Sequence, residues 1–272
     1  MAEGAGSPAA AIRPALPPRI DRASPLRFVL YFAIAAFAIA SIDGVDISMS
    51  ELVGGLPGMA RMIGQMFPPS FDRLGPVLLS LLETFQMAAV GTALGVVLSL
   101  PLAVMAARSQ TPHPVLYHAA RALISLFRTV PDLIWALFFV VAVGLGPFAG
   151  TLALMVDTMG FCGRFFAEAM EEADKGPQEA LTALGATRTG RICSAVVPAA
   201  MPSFVNTALF SLEKATRGSV VLGLVGAGGI GIELKVAMDL FDYDRAATMI
   251  LCIFALVVAV EQASALLRRR II

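Results

Sequence analysis

The stretch PVLLSLLETFQMAAVGTALGVVLSLPLAVMAA, Pro76 to Ala107, decides the fold class. A helix needs about 20 mostly apolar residues to cross roughly 30 Å of hydrocarbon. This run is long enough to overshoot the bilayer or to tilt within it. The rest of the chain has the same character. Of 272 residues, 57% are hydrophobic and 15% charged, with a mean hydropathy of +0.79, against about 45–50% and about 25% in ordinary globular domains. The chain therefore reads as an all-α, polytopic membrane protein. Twenty acidic and 20 basic residues exclude a polybasic nucleic-acid binder. Three scattered cysteines (Cys162, Cys193, Cys252) and two histidines leave little for a disulfide framework or a metal site.

Five further apolar runs flank this one. They are Arg27 to Ile42, Leu123 to Leu145, Phe148 to Phe166, Pro202 to Leu222 and Arg245 to Leu267. The second of these five is a span only if Leu123–Val130 joins Leu133–Leu145, with Arg128, Pro131 and Asp132 inside or at its edge. Charge placement orients the set through the positive-inside rule. The head (Arg13, Arg19, Arg22, Arg27) is basic. The following segment (Asp43, Asp46, Glu51, Asp72) is acidic, and the next connection (Arg108, His113, His118, Arg121, Arg128) is basic again. Six spans with both termini cytoplasmic satisfy every loop. Residues 1–25, rich in Ala, Pro and Gly, read as a disordered cytoplasmic head, and residues 26–272 as the membrane domain. A cleaved signal peptide fits less well, because the acidic Ile42–Ser50 segment lacks a small-x-small cleavage site.

The most informative region is the inside loop, residues 168–198. Lys175-Gly176-Pro177 breaks the preceding helix, and Pro177 suits the first position of a new one, with Gln178 and Glu179 in its first turn. Ala180, Leu181, Ala183, Leu184 and Ala186 give that helix a small apolar face, and Gly185 either ends it or admits another backbone. Such a helix can dock in a groove of a soluble partner or lie on lipid.

Glu179-Ala180-Leu181, then Gly185, then Ala195-Val196-Val197-Pro198 resembles the EAA motif of ABC-importer permeases in every spacing. Leu181, Ala195 and Val197 depart from it, apolar for apolar. Further likeness lies in Arg128-Thr129-Val130-Pro131-Asp132, in Phe165 to Ala169, in Ser219 to Gly231, and in Leu240-Phe241-Asp242-Tyr243. Together these resemble the phosphonate branch, from about Leu78 to the C-terminus. Methionine-type permeases share the Gly-Ala-Gly-Gly segment.

The resemblance implies a type I importer permease fold and a homodimer with the path between its chains. It also implies ATPase subunits gripping the loop, and an extracytoplasmic solute-binding protein. Localisation would be the cytoplasmic (inner) membrane, in contact with lipid. Glu179, Ala180, Leu181, Gly185 and Pro198 would carry ATPase coupling. Thr129, Pro131, Asp132, Arg217 and Ser219 are candidates for the path. The chain has no Gly-x-x-x-x-Gly-Lys-Ser/Thr segment to cradle ATP, so ATP and Mg²⁺ belong to the partner and no cofactor is expected here. No nucleophile–base constellation marks an enzyme. The competing readings are a methionine or amino-acid permease and an ATP-independent secondary transporter.

Charges inside spans usually pair or line a water-filled path. Glu213 and Arg217 stand four apart, in the order that favours an intrahelical pair; alternatively Lys214 or Arg217 draws an anion inward. Arg128 and Asp132 flank Pro131, which cannot donate a backbone hydrogen bond, so this break is either a paired kink or a gate. Asp157 and Arg164, seven apart on one face, are expected to pack against a neighbouring span, and Glu83 to reach the outer interface. Gly226-x-Gly228-x-x-Gly231 matches a dinucleotide fingerprint only formally, since it follows a membrane helix. It is either a close-packing seam or a mobile element near the outer mouth, and the resemblance favours the second.

Overall fold

The structure, a computed structural model, describes residues 25–44 and 48–271. The expected disordered head lies outside the described residues except for Pro25, which opens a helix. Every regular element among the described residues is helical. The chain divides into two compact units, Met1–Met59 and Ala60–Ile272.

In the first unit, α1 (Pro25–Gly44) contains the apolar stretch Arg27–Ile42, shorter than a full span. α2 (Met49–Gln65) begins here, in a segment the charges marked only as acidic and external. Its start is a capping box, Ser48-Met49-Ser50-Glu51, in which Ser48 Oγ accepts from Glu51 N at 3.2 Å. Met49, Leu52, Val53 and Leu56 then recur at helical spacing.

The second unit is built around α3 (Leu74–Ala106) and α6 (Pro147–Glu172). They run parallel and meet at backbone distance. A Cβ on Gly91 would lie 2.9 Å from Leu154 Cβ and from the Thr151 carbonyl; one on Gly95 would lie 2.5 Å from Thr158 Cβ. Gly91-Thr92-Ala93-Leu94-Gly95 is thus a GxxxG seam, where small residues let membrane helices gain dispersion and weak polar contacts. α9 (Val197–Gly223) packs antiparallel to α6, with Phe166 and Phe204 rings 4.4 Å apart and Ser211 donating to Thr158. The core lies in three patches. Leu102, Ile124, Phe166, Met170 and Phe204 fill one end, Met87, Leu154 and Leu222 the middle, and Val77, Ile230 and Met249 the other end. The last patch joins α3 to α10 (Ile230–Asp239) and α11 (Tyr243–Ile271).

Among the described residues, three helical runs are long and apolar enough to cross a bilayer: Leu74–Ala106, Arg188–Gly223 and Tyr243–Arg270, with mean hydropathies of 2.1, 1.5 and 2.3. A fourth counts if α4 (Pro114–Thr129) and α5 (Asp132–Val143) form one span. These two do not continue into each other: the chain bends by 92° between them. Val130 N closes α4 on the Leu126 carbonyl, and Pro131, without an N–H, supplies the carbonyl to which Ile134 N of α5 donates at 3.0 Å. α6, expected as a span, is not among the three, because Asp157, Arg164 and Glu168 interrupt it.

Candidate functional site

The loop at the far end of α6 differs locally from the sequence expectation. The helix break falls at Ala173-Asp174, not at Lys175-Gly176-Pro177. Asp174 caps α7 (Lys175–Ala183) by accepting from Gly176 N at 3.0 Å, so Pro177 is its third residue and Glu179 lies beyond the first turn. A side chain that supplies the missing acceptor outweighs a proline that merely tolerates the position. Gly185 (φ +79°) ends the helix. Gly185 N donates to the Thr182 carbonyl and Ala186 N to the Leu181 carbonyl, both at 3.0 Å, which is a Schellman closure. Nothing lies within 4 Å of where a Gly185 Cβ would be, so within this chain the glycine serves the turn and not a close approach.

No residue of α7 is buried. Glu179, Ala180, Gly185 and Pro198 are exposed, Leu181 is half-buried, and Leu184 is 83% exposed. The helix is fastened from behind by polar bonds. Buried Gln110 donates to Gln178 Oε1 at 3.2 Å, and Gln178 donates to the Asp174 carbonyl at 3.0 Å. Arg191 donates to Thr182 Oγ1 at 3.1 Å. Glu171 accepts from Arg108 N at 2.6 Å and from Arg121 at 3.1 Å. A cavity of about 210 Å³ lined by Glu171, Gln178, Glu179, Thr182 and Arg191 lies beside it. The chain returns through a short helix, α8 (Arg188–Arg191), and a π turn, Ile192–Val196, leading into α9. Ala195 and Val196 are buried there, so the second half of the motif anchors the loop and its first half is presented. The anchoring residues Gln110, Arg121 and Glu171 escaped the sequence reading, because a lone glutamine and an ion pair between two helices 50 residues apart carry no periodic signal.

Lys214 and Glu213 pair between helices, and Arg164 pairs along its own. Lys214 meets Asp157 of α6 at 2.8 Å and lies 5.4 Å from the Phe161 ring centre. Glu213 binds Arg268 of α11 at 2.5 Å, so the Glu213–Arg217 pair is not formed. Arg164 pairs with Glu168, its neighbour one turn on, at 2.7 Å. Asp132 Oδ1 accepts from Leu133 N at 2.9 Å, and the Arg128–Asp132 pair is not formed either. Arg128 and Arg217 are exposed and form no ion pair among the described residues.

Of the path candidates, Thr129 and Pro131 are exposed at the 92° bend, and Thr129 donates to the Ser125 carbonyl. Asp132 packs against α9 beside Arg217; its Oδ2 lies 3.3 Å from where a Gly218 Cβ would sit. Ser219 is fully buried and donates to the Thr216 carbonyl, which puts its hydroxyl on no surface of this chain.

The glycine segment is a packed seam. Glu83 accepts from Gly229 N at 3.0 Å and Thr84 Oγ1 from Ile230 N at 2.8 Å, so Glu83 turns inward to cap α10. A Cβ on Gly223 would lie 2.7 Å from Gly231 Cα, and one on Gly228 2.7 Å from the Pro147 backbone. Beyond α10, the protonated Asp242 carboxyl donates to the Asp244 carboxylate, which raises the pKa of Asp242 above the ordinary carboxylate value.

The family described as binding-protein-dependent transport system inner membrane component matches residues 99–272. The chain belongs to that family. The permease is 41% identical over 220 residues to the phosphite transport system permease protein PtxC of Stutzerimonas stutzeri, over 81% of this chain and 80% of that one. It is 41% identical over 258 residues to the phosphate-import permease protein PhnE of Mycolicibacterium smegmatis, over 93% of this chain and 48% of that one. The permease thus spans about half the length of PhnE. The probable D-methionine permease MetI of Vibrio cholerae shares 28% over 220 residues, which disfavours the methionine alternative. Among solved structures, a chain of the inward-facing MetNI methionine ABC transporter superposes with a TM-score of 0.67 at 25% identity, over 75% of the permease and 99% of that chain. The importer permease fold is therefore shared, and the relatives are transporter subunits, not enzymes.

Proposed function

We propose that the permease forms the membrane path of an ATP-driven importer for phosphite, a phosphonate or a related phosphorus oxyanion. It works as a homodimer in the cytoplasmic membrane, with six spans and both termini in the cytoplasm. ATP and Mg²⁺ act on separate ATPase subunits, and an extracytoplasmic binding protein delivers the substrate. The observation that carries this reading is α7, a helix with no buried residue, held rigidly from behind and ended squarely at Gly185. A helix that gains nothing from its own chain's core and yet is fixed in place is built to meet another protein. Glu179, Ala180, Leu181 and Gly185 form that meeting surface, and Pro198 starts the helix that carries its displacement to the membrane. ATP-driven closure of the ATPases draws two such helices together and shifts the path between its two states.

Phosphorus oxyanions suit the charges as well as the relatives. Arg217 and Arg128 are exposed cations without carboxylate partners among the described residues, and such a charge at membrane depth belongs beside water or an anion. Thr129, Pro131 and Arg217 line the path, with Asp132 and Ser219 supporting them from behind.

The test is uptake in a host lacking its own phosphite and phosphonate importers, supplied with the permease and its neighbouring transport genes. ATP-dependent accumulation of phosphite, methylphosphonate or phosphate is expected, lost on omission of the ATPase. Accumulation of methionine instead, or uptake that survives without an ATPase, would overturn the proposal.

A further inference from the structure

A cavity of about 470 Å³ is walled by the α3–α4 turn and the start of α4. Arg108, Thr111, His113, Tyr117 and His118 supply its polar groups, and no carboxylate lines it. The turn is held from the opposite side: Glu171 takes Arg108 N and Arg121, and Arg121 Nε donates to the Ala106 carbonyl at 2.8 Å. Glu171 is therefore committed to the backbone and to Arg121. The Arg108 guanidinium has no ion pair among the described residues.

The remaining groups are donors or are free to become so. His113 Nδ1 accepts from Val115 N at 3.2 Å, which fixes the tautomer that carries its proton on Nε2. Thr111 Oγ1 is buried with no hydrogen-bond partner among the described residues, a state that costs free energy unless a ligand or water completes it. His118 is exposed and stands edge-on to Tyr117, whose other side meets Arg121. A rigid turn with a free guanidinium, two imidazoles, a phenol and an orphan hydroxyl, but no acid, is matched to a tetrahedral oxyanion.

We propose that this cavity binds a phosphate group, carried by an anionic phospholipid or as the free ion. Gln110, within the same turn, is bonded to Gln178 of α7, so the occupied turn and the α7 surface form one hydrogen-bonded unit. The chemistry does not depend on the transported substrate; only placing the cavity on the cytoplasmic side rests on the proposed topology.

Both histidines of the chain lie in this cavity, which gives a direct probe. The full-length permease, purified with a histidine-free tag, is labelled on histidine and placed in neutral-lipid nanodiscs. It is titrated with inorganic phosphate and, separately, with short-chain phosphatidylglycerol. Saturable shifts of both imidazole signals are expected. Arg108→Gln should weaken the binding at least about tenfold, the loss of one charge-assisted contact. Arg269→Gln, an exposed arginine elsewhere, and Arg217→Gln in the membrane path should leave it unchanged. A response to phosphate supports the free ion, and a response to the lipid alone supports a headgroup. Signals that do not saturate with either probe, or equal weakening by Arg269→Gln, overturn the proposal. Loss on Arg217→Gln but not on Arg108→Gln also overturns it, while leaving the transport reading intact.

Discussion

Lys214 Nζ lies 2.8 and 2.9 Å from the two carboxylate oxygens of Asp157, bridging α9 and α6 across 57 residues of sequence. The bridge is lopsided: the Lys214 side chain is 40% exposed and that of Asp157 17%.

Removing one partner of such a pair strands the other. Complete burial would make this cost about 3–5 kcal/mol, and the exposure of Lys214 reduces it to about 1–3 kcal/mol. Asp157→Asn and Lys214→Met should each lower the melting temperature in detergent, and the double variant should recover most of the loss. Thermal unfolding followed by size-exclusion chromatography measures this. A double variant no better than the worse single one would mean the two side chains are not coupled.

Gly95→Ala should be the more damaging of two glycine substitutions on α3. Its new methyl would press on Thr158, 2.5 Å away, whereas Gly75 has nothing within 4 Å. Overpacking of this kind costs about 1–3 kcal/mol, while Gly75→Ala should be neutral or mildly stabilising. Equal melting temperatures for the two variants would contradict the parallel α3–α6 seam.

How legible these features were depends on their range in sequence. The α3 span was readable to within two residues because composition alone defines it, and the EAA-like spacing located α7 because the motif is local. The exact start of α7 was not, since Asp174 captured the cap from a position that Pro177 seemed to claim. The Glu213–Arg217 pairing failed for a deeper reason. Helical spacing says which residues share a face, but Arg268, 55 residues away, competes for the same carboxylate and wins. The seam at Gly91 and Gly95 escaped the sequence reading, because a pair of glycines four apart becomes a contact only once the helix opposite is known.

Glu179→Arg and Gly185→Arg should abolish uptake while leaving the amount of inserted permease unchanged. Glu179 is exposed and nothing lies within 4 Å of where a Gly185 Cβ would sit, so neither variant disturbs the bundle itself; at Gly185 the positive φ adds only about 1 kcal/mol of strain. Gly185→Asn, which tolerates that conformation, should retain more transport than Gly185→Leu. Wild-type uptake by both arginine variants would remove the coupling role from α7.

Arg217→Ala should reduce oxyanion uptake at least about tenfold, the loss of one charged contact, with ATPase association unchanged. Arg217→Lys should restore part of it. Uptake measured beside co-purification of the ATPase separates the two effects. Lost association with proportionate loss of uptake would make Arg217 a structural residue.

The glycine seam has a mechanical consequence. At Gly223, Gly228 and Gly231 the close approaches are backbone to backbone, with no side chain between them that can swing aside. Glu83 and Thr84 bolt the same point to α3. Helices joined in this way travel together, so α3, α9, α10 and the start of α6 form a single stiff block at that end of the protein. The compliant joint lies at the Pro131 corner, where the helical ladder is interrupted and two stiff rods meet almost at a right angle. In this permease glycine acts as the rivet and proline as the elbow.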